Sequence, residues 1–105
     1  MFRCLETSQL LLRLPTVILV DALGPPYYGS GHLPGAVNIP PHRVQELAPR
    51  YLPRKGAEIV VYGGDGQSSN AHIVIEELTR LSYTDVWLYL DGIEGWIEAG
   101  LDIDV

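Results

Sequence analysis

Three short apolar segments constrain the fold of this chain more than any other feature of its sequence. They run from Thr16 to Val20, from Ile59 to Tyr62 and from Val86 to Leu90. Continuous apolar runs of this length are typical of strands that are buried on both faces, as in parallel sheets. Helical segments separate the runs, and this order predicts an α/β fold with a mainly parallel sheet and right-handed connections.

The residues between these runs divide into helices and loops. Between the second and third runs, Ser69 to Leu81 repeats apolar residues at helical spacing. Shorter helices are predicted before Pro15 and up to Gly100. Residues 22–35 are rich in glycine and proline, which predicts a loop.

Composition narrows the classes of function. The 105 residues predict one domain, 1–105, and the 47% of them that are hydrophobic can form a core. The net charge is −6 and the 7 basic residues form no run, so we expect neither a nucleic-acid partner nor an anionic membrane. Cys4 is the only cysteine, so an intramolecular disulfide and a cysteine-rich zinc site are impossible. We also expect no other metal and no cofactor. Arg13 and Pro15 interrupt the N-terminal apolar residues, unlike in a signal peptide, so we expect a cytoplasmic protein.

The sequence VVYGGDGQSSN, residues 60–70, lies where such a fold places its functional site. Ligands of parallel sheets bind beyond the carboxyl ends of the strands, and this segment includes the end of an apolar strand. An amphipathic helix begins near Ser69, so a glycine-rich loop at residues 63–68 joins a strand to a helix. Such a loop is suited to an anion or a reactive side chain, yet this one contains no cysteine, histidine or basic residue.

Four segments together resemble a known family. They are GHLPGAVNIP (31–40), EIVVY (58–62), EELTRLSYTDV (76–86) and YLDGIEGWIEAGL (89–101). From about Val17 to Leu101 the chain is similar to the rhodanese-like sulfurtransferase domain. The resemblance implies a single rhodanese-like domain with a sheet of about five mainly parallel strands and helices on both faces.

The resemblance also implies an activity. In active members a cysteine at the end of the strand takes a sulfur atom from thiosulfate or another donor and forms a persulfide. It passes this sulfur to cyanide, a thiol or a sulfur carrier protein. The implied partners are therefore a small sulfur donor, such as thiosulfate or a persulfide, and a sulfur-acceptor protein. Backbone N–H groups of the loop and the N-terminus of the following helix stabilise the anionic sulfur.

The two positions at which this family carries its nucleophile lack sulfur here. Active members commonly have cysteine directly after the tyrosine, where this chain has Gly63. A subgroup with a longer loop has a second cysteine at the position that Ser68 occupies. Cys4 is far from this loop in the sequence and is expected to pack as a small apolar residue. The other residues of the implied active-site loop are Gly64, Asp65, Gly66, Gln67, Ser69 and Asn70.

Two polar residues outside the loop are expected to support the site. Asp21 occupies the position of the family's strand-end aspartate, but Leu23 stands where an arginine commonly follows. We therefore expect Asp21 to bond loop amides. His32, in the GHLPGA block, is expected to hold loop backbone by a hydrogen bond. Within the loop, Asp65 should weaken the binding of thiosulfate, because a carboxylate repels anions.

These residues leave four functions open. The first is a sulfurtransferase-type domain that cannot form a persulfide, because a serine hydroxyl is a weak nucleophile and forms no stable persulfide. The second is an active sulfurtransferase whose native cysteine has been replaced by Ser68. The third is a non-catalytic protein-binding module, which the Tyr27–Tyr28 pair and the acidic charge favour. The fourth is a hydrolase in which His72 activates Ser68.

Overall fold

The structure is a computed structural model that describes residues 3–105. Its strands form one five-stranded sheet in which every neighbouring pair is parallel. In chain order they are β1 (Arg3–Leu5), β2 (Ile18–Asp21), β3 (Val37–Asn38), β4 (Ile59–Tyr62) and β5 (Val86–Tyr89). Across the sheet the order is β1-β5-β4-β2-β3. The predicted α/β fold is confirmed, and the three strands that the apolar runs predicted are the interior ones.

Helices cover both faces of this sheet. None of those within residues 3–105 is long and apolar enough to cross a membrane, and the longest has 12 residues. A short 3₁₀ turn, Pro41–Arg43, follows β3. The helices are α1 (Thr7–Arg13), α2 (Pro25–Ser30), α3 (Val44–Tyr51), α4 (Ser69–Arg80) and α5 (Gly92–Glu98).

Successive side chains of the central strands enter two different hydrophobic cores. Val61 of β4 packs in the core that also contains residues of α3 and α4. Its neighbours Val60 and Tyr62 pack in the second core, with residues of α1 and α5. All three side chains are fully buried. Because both faces of the strand are covered, its sequence is apolar without alternation.

Two elements differ from the expectations drawn from sequence. Residues 22–35 are not all loop, since α2 spans Pro25–Ser30. Pro25 and Pro26 are compatible with a helix here because they occupy its first turn, where the N–H that proline lacks would have no helical partner. Strand β1 was not predicted from periodicity, because its three residues at the sheet edge are too few to show a pattern.

Candidate functional site

The 63–68 loop lies at the carboxyl edge of the sheet, between the end of β4 and the start of α4. The segment that follows β2 lies beside it, because Asp21 and Tyr62 are register partners on neighbouring strands. A hydrogen bond of 3.3 Å from Nδ2 of Asn70 to the carbonyl oxygen of Ala22 joins the two segments. The loop therefore lies where ligands of parallel sheets bind.

Gly63 and Ser68, the two expected nucleophile positions, share one region of space. A Cβ atom added to Gly63 would overlap the Cβ and Oγ atoms of Ser68 and would lie 3.6 Å from the Cβ atom of Ala71. The Ser68 side chain thus fills the volume that a side chain at position 63 would need. The loop has room for one side chain at this place, and the group that it holds there is a hydroxyl.

Asp65 shapes the loop through both its side chain and its backbone. Its Oδ1 accepts a hydrogen bond of 2.9 Å from the amide of Gln67. Its carbonyl oxygen accepts one of 3.2 Å from the amide of Ser68. These bonds form a tight turn that brings Ser68 back against Gly63. The residue is exposed, so its charge lies at the surface of the loop.

Helix α5 holds the other side of the loop. The amides of Ile93 and Glu94 donate hydrogen bonds of 3.0 Å to the carbonyl oxygens of Gly63 and Gly64. Gly92 has φ +65°, and a Cβ atom there would lie 2.5 Å from the carbonyl oxygen of Gly64. Only glycine permits such a close approach of helix and loop backbone. Gly92 was not among the predicted site residues, although its place directly before the apolar residues of a predicted helix is a signal that could have identified it.

The orientation of these peptides leaves amides available for a ligand. In a trans peptide the C=O and the following N–H point in opposite directions, so the amides of Gly64 and Asp65 point away from α5. Within residues 3–105 neither amide donates a hydrogen bond, and nor does that of Ser69 at the start of α4. Ser68 is the N-cap residue of α4, but its side chain makes no capping hydrogen bond. Amides arranged in this way are suited to an anionic group.

Asp21 is fully buried at the end of β2 and joins three segments. Its Oδ2 accepts a hydrogen bond of 2.7 Å from the hydroxyl of Tyr62, and its Oδ1 accepts one of 2.8 Å from the amide of Leu23. The Tyr62 hydroxyl in turn accepts a bond of 3.0 Å from the amide of Leu33. Burial raises the pKa of Asp21, and the hydrogen bonds from Tyr62 and Leu23 offset part of that rise. Asp21 therefore bonds a loop amide as predicted, while Tyr62 is a partner that sequence analysis missed.

We expect Tyr62→Phe to lower the free energy of unfolding by about 2–4 kcal/mol, because the Asp21 carboxyl group and the Leu33 amide lose a buried partner. Burial raises the pKa of Tyr62, so its hydroxyl remains a donor at neutral pH. Tyr83→Phe is the matched control, since the Tyr83 hydroxyl is also buried but donates only to backbone carbonyl oxygens. It should cost about 1 kcal/mol. Urea unfolding measures both losses, and equal losses would contradict the role given to Tyr62.

His32 holds the backbone of its own segment, as predicted. Its Nδ1 lies 2.9 Å from the carbonyl oxygen of Tyr28, and its ring stacks on the Tyr28 ring with the centroids 3.9 Å apart. Its backbone pairs with that of Asp104 in an isolated antiparallel bridge. These contacts join α2 to the C-terminal residues, so the observed role of His32 is to position chain segments.

Cys4 lies outside the loop, on edge strand β1. Its register partner is Leu88 of β5, which pairs in turn with Val61 of β4. Two strand spacings, about 10 Å, therefore separate Cys4 from Val61. The side chain is exposed, so the prediction that it packs inside is wrong; alternation along β1 directs Leu5 inward instead. No group of three or more His, Cys, Asp or Glu residues that could hold a metal ion occurs within residues 3–105.

Comparison with known families agrees with this architecture. The family model of the rhodanese-like domain matches residues 6–99 of the chain. The chain therefore belongs to the rhodanese-like domain family, and the resemblance found in its sequence is confirmed.

Individual relatives include named sulfurtransferases. Over 94 residues the chain is 29% identical to the thiosulfate sulfurtransferase GlpE of Tolumonas auensis, a match that covers 88% of this chain and 83% of GlpE. A thiosulfate sulfurtransferase from Pseudomonas aeruginosa, whose structure is solved, is 26% identical to this chain. The superposition has a TM-score of 0.82 and covers 96% of this chain and 19% of the other. A rhodanese-related protein from Thermoplasma volcanium, 19% identical, superposes over 98% of both chains with a TM-score of 0.83.

Proposed function

We propose that this domain forms no persulfide in its own loop, although it keeps the loop architecture of a sulfurtransferase. The observation that carries the proposal is the Ser68 side chain, which fills the space that a side chain at position 63 would need. A serine hydroxyl is a weak nucleophile without a neighbouring base, and it holds no transferable sulfur. The one cysteine of the chain, Cys4, lies two strands away from β4.

Charge around the loop supports the same proposal. Asp65 is exposed in the loop, and Oε2 of Glu94 lies 3.6 Å from the place of a Cβ atom on Gly64. Neither the loop nor α5 contains a lysine or an arginine. Thiosulfate is an anion, so these carboxylates disfavour its approach to the loop.

The alternative is an active sulfurtransferase in which Ser68 stands in place of a native cysteine. The unused amides of Gly64, Asp65 and Ser69 support it, because converging amides would stabilise a thiolate or a persulfide. Under both readings the present chain forms no loop persulfide. The native codon for residue 68 distinguishes the two.

A thiosulfate-to-cyanide assay on the unsubstituted chain tests the proposal. We expect no thiocyanate beyond the rate of buffer alone. Cys4 is exposed, so its thiol is accessible to thiosulfate. The control variant Cys4→Ser removes any slow sulfur transfer through that thiol. Thiocyanate formed faster than in buffer alone, and equally fast by the unsubstituted chain and by Cys4→Ser, would overturn the proposal, because sulfur transfer would then proceed without the one thiol of the chain.

A second candidate function is protein binding, which an exposed apolar groove between α2 and α5 favours. Its cavity volume is about 200 Å³. Tyr27 is 69% exposed and Ile97 is 52% exposed at this groove. The groove adjoins the loop, because Ile93, which lines it, also bonds Gly63. Its lining residues are Leu23, Tyr27, Ser30, Gly31, Ile93, Ile97 and Ile103.

The charge around the α2–α5 groove defines the chemistry of its partner. Asp65, Glu94, Glu98, Asp102 and Asp104 are exposed in the loop, in α5 and in the residues that follow it. Residues 21–35, 63–70 and 90–105 contain no lysine or arginine at all. We propose as occupant a protein segment with an apolar side chain between lysines or arginines.

The probe is a synthetic peptide with one leucine between two pairs of lysines. Ile97→Ser should weaken the binding of this peptide about tenfold. Ile73→Ser is the matched control, because Ile73 is 43% exposed on α4 and does not line this groove. Fluorescence anisotropy at low and high salt measures the affinity, which should fall as salt screens the charges. Equal affinities for the two variants, or equal binding of a glutamate version of the peptide, would refute this use of the groove.

A further inference from the structure

A second cavity, larger than the α2–α5 groove, lies on another part of the molecule, between α2 and α3 and over edge strand β3. Its volume is about 380 Å³, which falls in the range of roughly 300–1,000 Å³ of small-molecule sites. None of its lining residues belongs to the 63–68 loop or to the α2–α5 groove. They are Pro25, Tyr28, Val37, Asn38, Arg43, Leu47, Arg50 and Tyr51.

We call this cavity the arginine pocket. One of its walls is formed by one face of α3 and by the residue that precedes this helix. Leu47 lies four residues after Arg43, and Arg50 and Tyr51 lie three and four residues after Leu47, so all four lie near one face. This wall brings two of the 7 basic residues of an acidic chain into one cavity. A pocket with this concentration of positive charge differs from the acidic surface around the loop.

The two guanidinium groups of the arginine pocket differ in their hydrogen bonds and ion pairs. Nε and Nη2 of Arg43 donate hydrogen bonds of 3.0 and 2.9 Å to the carboxylate of Glu46, which leaves its Nη1 for another acceptor. Arg50 has no ion-pair partner within 4.0 Å among residues 3–105, although its charge also acts on the Glu46 carboxylate. An unpaired guanidinium beside an oriented one is an arrangement that binds an oxyanion, because the fork of N–H donors matches carboxylate and phosphate oxygens.

The opposite wall is aromatic and rigid. The Tyr28 hydroxyl donates a hydrogen bond of 2.7 Å to the carbonyl oxygen of Ala36, and its ring stacks on His32 with an interplanar angle of 10°. The side chain is thus held before any ligand arrives, which lowers the entropic cost of binding. With Val37 and Leu47 it offers apolar surface next to the arginines.

We propose that the arginine pocket binds a small organic oxyanion, a carboxylate or phosphate group carried on an apolar ring. The oxyanion bonds Arg50 and Nη1 of Arg43, and the ring packs against Tyr28 and Leu47. This site is separate from the loop, so it does not depend on whether the loop forms a persulfide.

Titration of the ¹⁵N-labelled chain with phenyl phosphate tests the proposal. Amide shifts should appear at residues 27–28, 37–38, 43–48 and 50–51 and not at 63–70. Benzoate reports whether a carboxylate serves as well as a phosphate. Inorganic phosphate and benzyl alcohol, which carry the charge or the ring alone, should each bind more weakly.

Three variants separate the charge contacts from non-specific attraction. Arg50→Gln should weaken binding of phenyl phosphate at least about tenfold. Arg54→Gln is the control, because Arg54 is exposed and does not line the pocket. Glu46→Gln should tighten binding severalfold, since it releases Arg43 from its carboxylate. Shifts confined to 63–70, no saturable shift at millimolar ligand, or equal affinities of Arg50→Gln and Arg54→Gln would each overturn the proposal.

Discussion

The double variant Gly63→Cys/Ser68→Gly is expected to transfer sulfur from thiosulfate to cyanide at least about a hundredfold faster than the unsubstituted chain. It moves the side chain from position 68 to position 63 within the same space. The new thiolate attacks the outer sulfur of thiosulfate, the sulfur–sulfur bond breaks and sulfite leaves with the bonding electron pair. Cyanide then takes the outer sulfur as thiocyanate and restores the thiolate. The amides of Gly64, Asp65 and Ser69 stabilise both anionic states.

The single variants are the controls for this relocation. Gly63→Cys alone should stay close to the rate of the unsubstituted chain, because its Cβ atom would overlap the Ser68 side chain and displace the loop. Ser68→Gly alone should be inactive, since it adds no thiol. If Gly63→Cys were as active as the double variant, the two positions would not compete for one space.

Gly92→Ala is expected to lower the free energy of unfolding by about 2–5 kcal/mol. One part of this cost is the left-handed backbone at φ +65°, and the other is the contact of the new Cβ atom with the backbone of Gly64 and Asp65. Backbone atoms cannot turn aside as a flexible side chain can, so either α5 or the loop must move.

Gly100→Ala isolates the first part of this cost, the left-handed backbone. Gly100 has φ +79°, but a Cβ atom there would meet nothing within 4 Å. Its substitution should therefore cost only about 1–2 kcal/mol, from backbone conformation alone. Urea unfolding of the two variants gives the difference. A loss in Gly92→Ala no larger than that in Gly100→Ala would show that α5 does not support the loop as described.

The fold was predictable from sequence wherever a pattern was long enough to be specific. Strands β2, β4 and β5 are continuous apolar runs because helices cover both of their faces. Helix α4 is long enough to show its period. Strand β1 was missed because only Leu5 among its three residues is buried. Helix α2 was missed because proline and glycine are counted as loop residues, although proline fits the first turn of a helix.

The position of the candidate loop at the carboxyl edge of the sheet was also predictable, but its geometry was not. The end of an apolar strand followed by glycines located the 63–68 loop. That Ser68 takes the space of a side chain at position 63 depends on the turn at Asp65 and on the hydrogen bonds from α5. These contacts join residues that are distant along the chain, and no local pattern reports them. The arginine pocket is similar, because its walls meet only after α2 and α3 pack beside β3.

Intact-protein mass spectrometry after incubation with thiosulfate tests the central claim most directly. Cys4→Ser and Cys4→Ser/Ser68→Cys should be compared, so that any sulfur gained must be carried by the 63–68 loop. We predict that Cys4→Ser gains no sulfur and that the variant with cysteine at position 68 gains one sulfur atom, which cyanide removes. Sulfur on the loop of Cys4→Ser, or none on the variant with the cysteine, would contradict the account of a sulfurtransferase loop in which the missing thiol is what prevents persulfide formation.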